Sequence, residues 1–342
     1  MSYIFLGVRT NLEAWAKKLD CGGDLEKQNH FKKLFIKRLQ NSPVAIETDK
    51  ANEQHYEVPT EFFTTKGNSL KYIIQFNERK KHCSYDIAKG TEAEVESLKI
   101  YCESAKITDG LSVLDLGCGW GSLGLFILQT YPKCQVTCVS NSNTQRRHIE
   151  TEALKMGVAD RLDCITADAN FFSTNKRFDR IMSIEMFEHM KNYEILMQRV
   201  SSWLKPSGYL FIQVLCHRQH AYAFDTKPGS DTEWMAKNFF TGGTMPSADL
   251  FLYFQKDVYV VDHWVWNGQN YSKTLEAWLE KTDLNIDKVK DIFRNNYGDE
   301  ADKQLFNWRL FFIFCSEVFG FKGGNEWPVA LYLFKKHLSS SL

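Results

Sequence analysis

The sequence predicts an α/β protein built on a doubly wound, mostly parallel sheet. Strand-like and helix-like segments alternate between about residues 109 and 216. A glycine-rich run also joins the first strand of this region to its first helix. Short apolar runs that alternate with amphipathic helices are typical of parallel sheets with helices on both faces.

The first 108 residues are predicted to be mainly helical. Leu12, Trp15, Ala16 and Leu19 share one helical face, which predicts a helix over residues 11–19 with Asn11 as its cap. Residues 24–39 form a second amphipathic candidate, and residues 91–105 a third with an acidic first turn. We interpret residues 1–108 as a helical lid and substrate region.

The core is predicted over residues 109–216. The predicted strands cover residues 112–116, 135–139, 162–166, 180–184 and 209–215. Helices are predicted between them, at residues 122–130, 143–156 and 193–204. This order of elements predicts the parallel part of the sheet.

The alternation stops after residue 216. Residues 217–308 hold most of the tryptophans, and we interpret them as an aromatic-rich, substrate-binding insertion. Residues 309–319 and 329–334 are predicted as final strands, so that residues 309–342 complete the core sheet.

Composition excludes several classes of protein. Lys and Arg total 42, as do Asp and Glu, so the net charge is 42 − 42 = 0, which argues against nucleic acid or a stable membrane as partner. We find no membrane-length apolar run and no signal peptide, and we expect a cytoplasmic protein. A weaker alternative is the peroxisome, because the chain ends in Ser340-Ser341-Leu342.

The nine cysteines are scattered without a C-x-x-C pair. Such a pattern indicates reduced thiols and no zinc site, so we predict no bound metal.

The glycine-rich run is the most informative stretch of the chain. Val113 to Leu116 predicts a buried strand, and Gly117, Gly119 and Gly121 then allow a tight turn in which the backbone approaches a ligand closely. A helix follows from Ser122, so its N-terminus faces the same ligand. The combination predicts a nucleotide-binding corner.

Two ligands fit this corner. Gly119-x-Gly121-x-x-Gly124 also matches the dinucleotide fingerprint, but the next strand ends in Ser140-Asn141-Ser142 instead of an acid for the ribose. With Asp115 before the glycines, the run resembles motif I of class I S-adenosylmethionine (SAM) methyltransferases. The resemblance implies SAM as the cofactor, S-adenosylhomocysteine (SAH) as its product, and Asp115 as a group for the ammonium of SAM.

Acids and a histidine follow the fourth strand. Because ligands bind at the carboxyl edge of such sheets, Glu185, Glu188 and His189 are candidate catalytic residues, and Ile184 is placed in the cofactor site. If the chain is helical here, Glu185 and His189 share a face, and a carboxylate beside an imidazole raises its basicity. The alternative is a surface helix start with a structural histidine.

The chain resembles the coclaurine N-methyltransferase group, which is related to the cyclopropane fatty acid synthases. The likeness covers residues 51–336 in order. It is carried by the glycine motif and by these further stretches: residues 55–60, 136–142, 185–192, 216–217, 252–255, 261–265 and 325–327.

The resemblance implies roles for individual residues. Glu185 and His189 match a catalytic Glu/His pair, and Tyr56 and Glu57 match a substrate-side segment of the lid. Asn141 and Gln145 would contact the ribose side of SAM, and Asp168 and Ala169 its adenine. Positions that hold bicarbonate in the cyclopropane synthases match Glu188, His217 and Tyr271.

One segment departs from the family pattern. Relatives carry a Leu-Lys-Tyr-Ser segment near the methionine end of SAM, whereas Leu70-Lys71-Tyr72 here continues into Ile73-Ile74. His82-Cys83-Ser84-Tyr85 comes later in the chain, which indicates an insertion before it. Which of these two segments closes over the donor stays open.

The sequence therefore predicts an N-methyltransferase for an aromatic alkylamine or an isoquinoline-type alkaloid amine. His189 is the expected base, and Glu185 orients it. The candidate aromatic walls are Phe239, Phe240, Trp264 and Trp266. The alternatives are carbon methylation of unsaturated lipid chains and a non-catalytic scaffold. The amine, the number of methyl groups and the oligomeric state stay open, although the N-terminal helices could form a homodimer face.

Overall fold

The computed structural model describes residues 2–46, 62 and 90–337 of the chain. It divides into two compact units. The first comprises residues 1–28, 57–97 and 267–328, and the second comprises residues 29–56, 98–266 and 329–342. The helices are α1 (Ser2–Leu19), α2 (Leu25–Gln40), α3 (Gly90–Ser104), α4 (Ser122–Thr130), α5 (Asn143–Lys155), α6 (Tyr193–Trp203), α7 (Glu233–Asn238), α8 (Gln269–Leu284), α9 (Ile286–Tyr297) and α10 (Ala301–Gly324).

The second unit is built on a seven-stranded sheet with the strand order β3-β2-β1-β4-β5-β9-β8. Its strands are β1 (Ser112–Leu116), β2 (Gln135–Ser140), β3 (Leu162–Thr166), β4 (Phe178–Ile184), β5 (Leu204–Leu215), β8 (Val258–Trp266) and β9 (Val329–Lys336). Strands β6 (Tyr222–Ala223) and β7 (Thr244–Met245) form a small sheet of their own. Strand β9 runs antiparallel to both of its neighbours, β5 and β8, whereas the other strand pairs described in the large sheet are parallel. The predicted doubly wound α/β fold is therefore confirmed.

The five predicted core strands are all present, because each combines an apolar run with a nearby turn or helix boundary. Strands β1 and β2 are buried at every residue but the first, and the last six residues of β5 are all buried. Buried parallel strands of this kind read as continuous hydrophobic runs rather than alternating ones.

The predicted strand at residues 309–319 is wrong. This stretch lies inside α10, which packs against α8 and α9 in the first unit. Its aromatic residues predicted a strand, yet Trp308, Phe311, Phe312 and Phe319 are buried side chains of one long helix. Since the helix buries residues around much of its circumference, the helical period is hidden in the sequence.

Two further expectations about the elements need correction. Helix α1 begins at Ser2, so Asn11 lies inside it rather than at its cap. Residues 258–266, predicted to belong to an insertion outside the sheet, form β8 at its edge and pair with β9. Among the described residues, no helix is both long and apolar enough to span a membrane.

An aromatic cluster lies in the core of the second unit. The ring of Phe251 contacts Phe187 at 5.6 Å, Tyr193 at 4.8 Å and Tyr332 at 5.2 Å between ring centroids, each nearly perpendicular to it. Edge-to-face packing of this kind stabilises buried rings beyond their area alone. Phe187 belongs to the short turn after β4, so this cluster supports that turn from below.

We predict that Phe251→Ala lowers the free energy of unfolding by about 3–5 kcal/mol, because it leaves a cavity where the ring is fully buried. Urea denaturation followed by circular dichroism measures the change. Phe306→Ala is the control, since that ring is 55% exposed, and we expect a change below about 1 kcal/mol. Equal losses in the two variants would contradict the assignment of this core.

Candidate active site

A cleft opens at the carboxyl ends of β1, β2 and β3 in the second unit, the edge where ligands of open α/β sheets bind. Seven of the sequence-predicted site residues line it: Gly117, Gly119, Asn141, Gln145, Asp168, Ala169 and His189. The other lining residues were not predicted as site residues: Ile46, Leu116, Val139, Ser140, Ala167, Met186, Met190 and Thr241.

The glycine turn forms the floor of this cleft. Gly117 has φ = +81° and its N–H donates to Val139 O at 2.9 Å, which joins the turn to the end of β2. A Cβ at Gly117 would lie 2.5 Å from Met186 Cγ, whereas one at Gly119 would meet no atom within 4 Å. Gly121, with φ = +80°, precedes α4 and packs against Ile149. Backbone without side chains therefore faces the cleft, as close approach of a nucleotide requires.

Polar groups from the end of β2 form one wall. Gln145 is buried and its Oε1 accepts a hydrogen bond from Ser140 Oγ, while Ser142 Oγ caps α5 by accepting the N–H of Gln145. Just beyond the end of the neighbouring strand β3, Asp168 Oδ1 accepts the N–H of Asn170 at 2.6 Å. The walls thus offer fixed amide and carboxylate groups of the kind that recognise a ribose and an adenine.

Asp115 lies behind the glycine turn and does not line the cleft. It is buried, and a Cβ at Gly124 would lie 3.6 Å from its Oδ2. Burial raises the pKa of Asp115 to about 7, although the backbone N–H of Gly124 opposes the rise. In this position the carboxyl supports the turn from beneath, and a water would have to carry any contact with a ligand ammonium.

We predict a stability signature for Asp115. The folded state favours the neutral form of the Asp115 carboxyl. The stabilisation that this carboxyl adds to the fold is therefore complete below about pH 4 and is lost as the pH rises to about 7. The free energy of unfolding of the wild type, relative to Asp115→Asn, should therefore fall by about 2–4 kcal/mol over this window. Urea titrations at several pH values measure it, and Asp160→Asn, an exposed position, is the control. If the difference in free energy of unfolding between the wild type and Asp115→Asn did not change with pH, the raised pKa of Asp115 would be contradicted.

The catalytic candidates lie on a turn rather than on an α-helix. Strand β4 ends at Ile184, Glu185 follows with φ = +53°, and a single 3₁₀ turn covers Phe187–His189. The expected helical face shared by Glu185 and His189 is therefore wrong. A left-handed backbone at a non-glycine residue costs about 1–2 kcal/mol, so the surrounding contacts must hold Glu185 in place.

Glu185 and Glu188 form a buried pair. Glu185 Oε1 accepts a hydrogen bond from Gln213 Nε2 at 2.8 Å. Burial raises the pKa of both carboxyls, and the charge of Glu185 raises that of Glu188 further. Two neighbouring carboxyls in a dry site do not both ionise readily, so the pair carries at most one negative charge near neutral pH.

His189 is the catalytic candidate that faces the cleft. Its ring is parallel to that of Phe240 within 2°, with 5.4 Å between the centroids, and Phe240 stacks in turn on Phe224 at 4.9 Å. The structure thus brings together the predicted base and one predicted aromatic wall. Lys191 holds the loop that carries Phe240, since its buried ammonium donates to Gly243 O and Thr244 Oγ1.

An N-terminal segment also reaches this site. Ala45 pairs with Met190, Val44 O accepts the N–H of Lys191, and the N–H of Ala45 donates to Asn170 Oδ1. These bonds place Ile46 in the wall of the cleft. The sequence carries no local signal for this contact, because it depends on residues far apart in the chain.

The other predicted residues lie in several places. His217 is buried, and its Nδ1 accepts the N–H groups of Gln219 and His220, which leaves Nε2 as the protonated nitrogen. Phe239 packs against Trp234, and Trp264 on β8 packs against Phe211 of the sheet. Tyr271 belongs to the first unit and stacks on Phe319 at 4.3 Å.

Several predicted positions lie outside the described residues. These are Tyr56 and Glu57, the two segments proposed to close over the donor (residues 72–74 and 82–85), and the C-terminal Ser340-Ser341-Leu342. Their expected roles stay predictions.

Comparison with known proteins agrees with this geometry. The family model for mycolic acid cyclopropane synthetase matches residues 45–324. An (S)-coclaurine N-methyltransferase from Thalictrum flavum subsp. glaucum is 39% identical over 306 residues, which cover 87% of this chain and 82% of the relative. A pavine N-methyltransferase from the same plant is 37% identical over 88% of this chain and 84% of the relative.

A solved structure extends the likeness to three dimensions. The crystal structure of coclaurine N-methyltransferase bound to N-methylheliamine and SAH matches with a TM-score of 0.86 at 36% identity. The match covers 97% of this chain and 94% of that one. Because a protein with this fold holds SAH, the nucleotide-binding corner described above belongs to a fold that accommodates this ligand.

Proposed function

The chain belongs to the mycolic acid cyclopropane synthetase family and to the SAM-dependent N-methyltransferases, and from this premise we propose that it methylates an aromatic alkylamine or an isoquinoline-type alkaloid amine. The observation that carries the substrate proposal is the juxtaposition of His189, Phe240 and the buried Glu185–Glu188 pair beside the glycine corner.

SAM would lie against the glycine turn, because Gly117 and Gly119 line the cleft and a Cβ at Gly119 would meet no atom within 4 Å. Asn141 and Gln145 would hold its ribose, and Asp168 and Ala169 its adenine. When bound there, SAM supplies a methyl group already activated by a sulfonium. The protein itself must therefore position the amine and remove its proton.

An ammonium has no lone pair for attack, so the amine must reach the methyl group in its neutral form. In our proposal His189 Nδ1 or Nε2 takes the proton, directly or through one water, since its ring lines the cleft. The negative charge of the carboxyl pair attracts the cationic amine and stabilises the positive charge that develops on nitrogen. The face of Phe240 adds a cation–π surface.

The test is to incubate the purified chain with methyl-labelled SAM and a panel of isoquinoline-type amines and phenylalkylamines. We expect label on an amine nitrogen, located by mass spectrometry of the product. The same reaction also contains a phospholipid dispersion with unsaturated chains. Label in acyl chains alone would replace the proposal by the second candidate, and absence of label from every amine and lipid would reject both for this panel.

The second candidate is carbon methylation of lipid alkenes, which the matched family description suggests. The favouring observation is that Glu188 and His217 are both buried polar groups, and His217 keeps Nε2–H as a donor suited to a small anion such as bicarbonate. Added bicarbonate should then raise the rate of lipid labelling while leaving amine labelling unchanged.

We also propose a cytoplasmic location and a homodimer, with no nucleic acid and no stable membrane as partners. The zero net charge supports the absence of nucleic acid and membrane partners. Analytical ultracentrifugation of the purified chain tests the dimer, and microscopy of a fluorescent fusion distinguishes the cytoplasm from the peroxisome.

A further inference from the structure

Gln213 lies in the middle of the sheet, where an uncharged apolar residue would be expected. It is fully buried on β5, and the neighbouring strand residues Ile212 and Val214 are fully buried as well. A buried amide is tolerated only when its hydrogen bonds are made, so its place next to the catalytic turn calls for a physical reason.

Two bonds connect Gln213 to a single residue. Its side-chain Nε2 donates to Glu185 Oε1 at 2.8 Å, and its backbone carbonyl accepts the N–H of Glu185 at 2.9 Å. Glu185 is also the residue with φ = +53° at the point where β4 ends. Gln213 therefore holds both the strained backbone and the carboxylate of the same residue.

The amide must face Glu185 with its nitrogen, because an ionised carboxylate only accepts hydrogen bonds. Behind it lies Tyr101 of α3, whose ring is fully buried and stacks on Trp266 at 6.1 Å. The Tyr101 hydroxyl faces Gln213, and neither this hydroxyl nor Gln213 Oε1 makes a hydrogen bond among the described residues. The hydroxyl is thus a nearby donor suited to Oε1, an arrangement that would leave Nε2 directed at Glu185.

We propose that Gln213 is a positioning residue for the Glu185–Glu188 pair, held in turn by Tyr101, and that it keeps Glu185 as the ionised partner of the pair. The inference deepens the proposed function, since it concerns how the site handles the proton of an amine. Glu188 then retains the shared proton and donates it to Glu185. The groups that face Glu185 are Glu188, Tyr101 and Cys216.

The electrostatics agree with this geometry. Burial raises the pKa of Glu185, while the hydrogen bonds from Gln213 and Glu188 and the backbone N–H of Leu215 lower it. Tyr101 and Cys216 stay neutral at physiological pH, because burial and the charge of Glu185 raise the pKa of each. Removal of the amide therefore leaves Glu185 with less support for its charge.

The test replaces Gln213 by methionine, which keeps the length of the side chain and removes its N–H groups. In the pH dependence of kcat/KM, we expect the midpoint of the acidic limb to rise by about one pH unit. We expect kcat/KM near pH 7 to fall by about tenfold. Tyr101→Phe, which removes one hydroxyl only, should move the limb in the same direction by less. Gln28→Met is the matched control, because that buried glutamine donates to Asp20 in the first unit.

A second readout needs no turnover. The fall in the urea midpoint caused by Gln213→Met should be larger at pH 8.5, where Glu185 is ionised, than at pH 5.5. The positioning role would be overturned if Gln213→Met lowered the urea midpoint equally at both pH values and left the acidic limb of the kcat/KM profile in place. If the wild type methylates no amine, the proposed function fails, but the stability comparison still decides the role of Gln213.

Discussion

Substituting alanine for His189 is expected to lower kcat for amine methylation by about 100- to 10 000-fold, the usual contribution of a general base. The affinity for SAM should change by less than about threefold, because the ring lines the cleft from the side of the turn after β4 and does not belong to the glycine corner. Steady-state kinetics and equilibrium binding of SAM measure the two quantities separately.

The controls distinguish a base from a structural ring. His189→Gln keeps a polar group that can contact Phe240 but removes the basic nitrogen, so it should be nearly as inactive as the alanine variant. His30→Ala changes a histidine of α2 that does not line the cleft, and we expect normal kcat. Parallel losses of kcat and SAM affinity in His189→Gln would show that the ring only shapes the cleft.

The second large effect is expected at Gly117. Gly117→Ala should weaken SAM binding by about 100-fold or more, since a Cβ would come within 2.5 Å of Met186 Cγ at a φ of +81°. A displaced Met186 would intrude into the cleft and would also move the turn that carries Glu188 and His189, so kcat should fall as well. Isothermal titration with SAM measures the binding.

Gly110 offers a matched control for backbone strain. It has φ = +86°, but a Cβ there would meet no atom within 4 Å. Gly110→Ala should therefore destabilise the fold by about 1–2 kcal/mol, as Gly117→Ala also does through strain, yet leave SAM affinity unchanged. If both variants bound SAM equally well, the close approach at Gly117 would not matter for the cofactor.

The sequence predicted those parts of the fold that depend on local pattern. The five core strands and the glycine turn were found because each combines a short apolar run with a recognisable turn or helix start. The aromatic pattern of residues 309–319 predicts a strand because α10 buries aromatic residues on several sides, which hides the helical period. The edge strand β8 was missed because its exposed and half-buried positions do not alternate regularly past the register shift between Val260 and Asp262.

The candidate site was predictable to a similar degree. The sequence identified Glu185, Glu188 and His189 as candidates. It did not predict the left-handed backbone at Glu185, because that conformation depends on the hydrogen bond from the Glu185 N–H to the carbonyl of Gln213 on another strand. Ile46 and Phe240 meet the site through loops whose placement follows from long-range hydrogen bonds. Such contacts leave no periodic signal in a sequence, so only the folded chain reveals them.

The position of β9 has a consequence for how the chain is made. This strand follows all the other described strands in sequence, yet it lies between β5 and β8 in the sheet. During synthesis on the ribosome, residues 258–266 therefore emerge long before the strand that joins them to the rest. Until then the edge of β5 has no partner there, and an exposed edge invites pairing with other chains. The nascent protein thus passes through an interval in which protection by chaperones matters most.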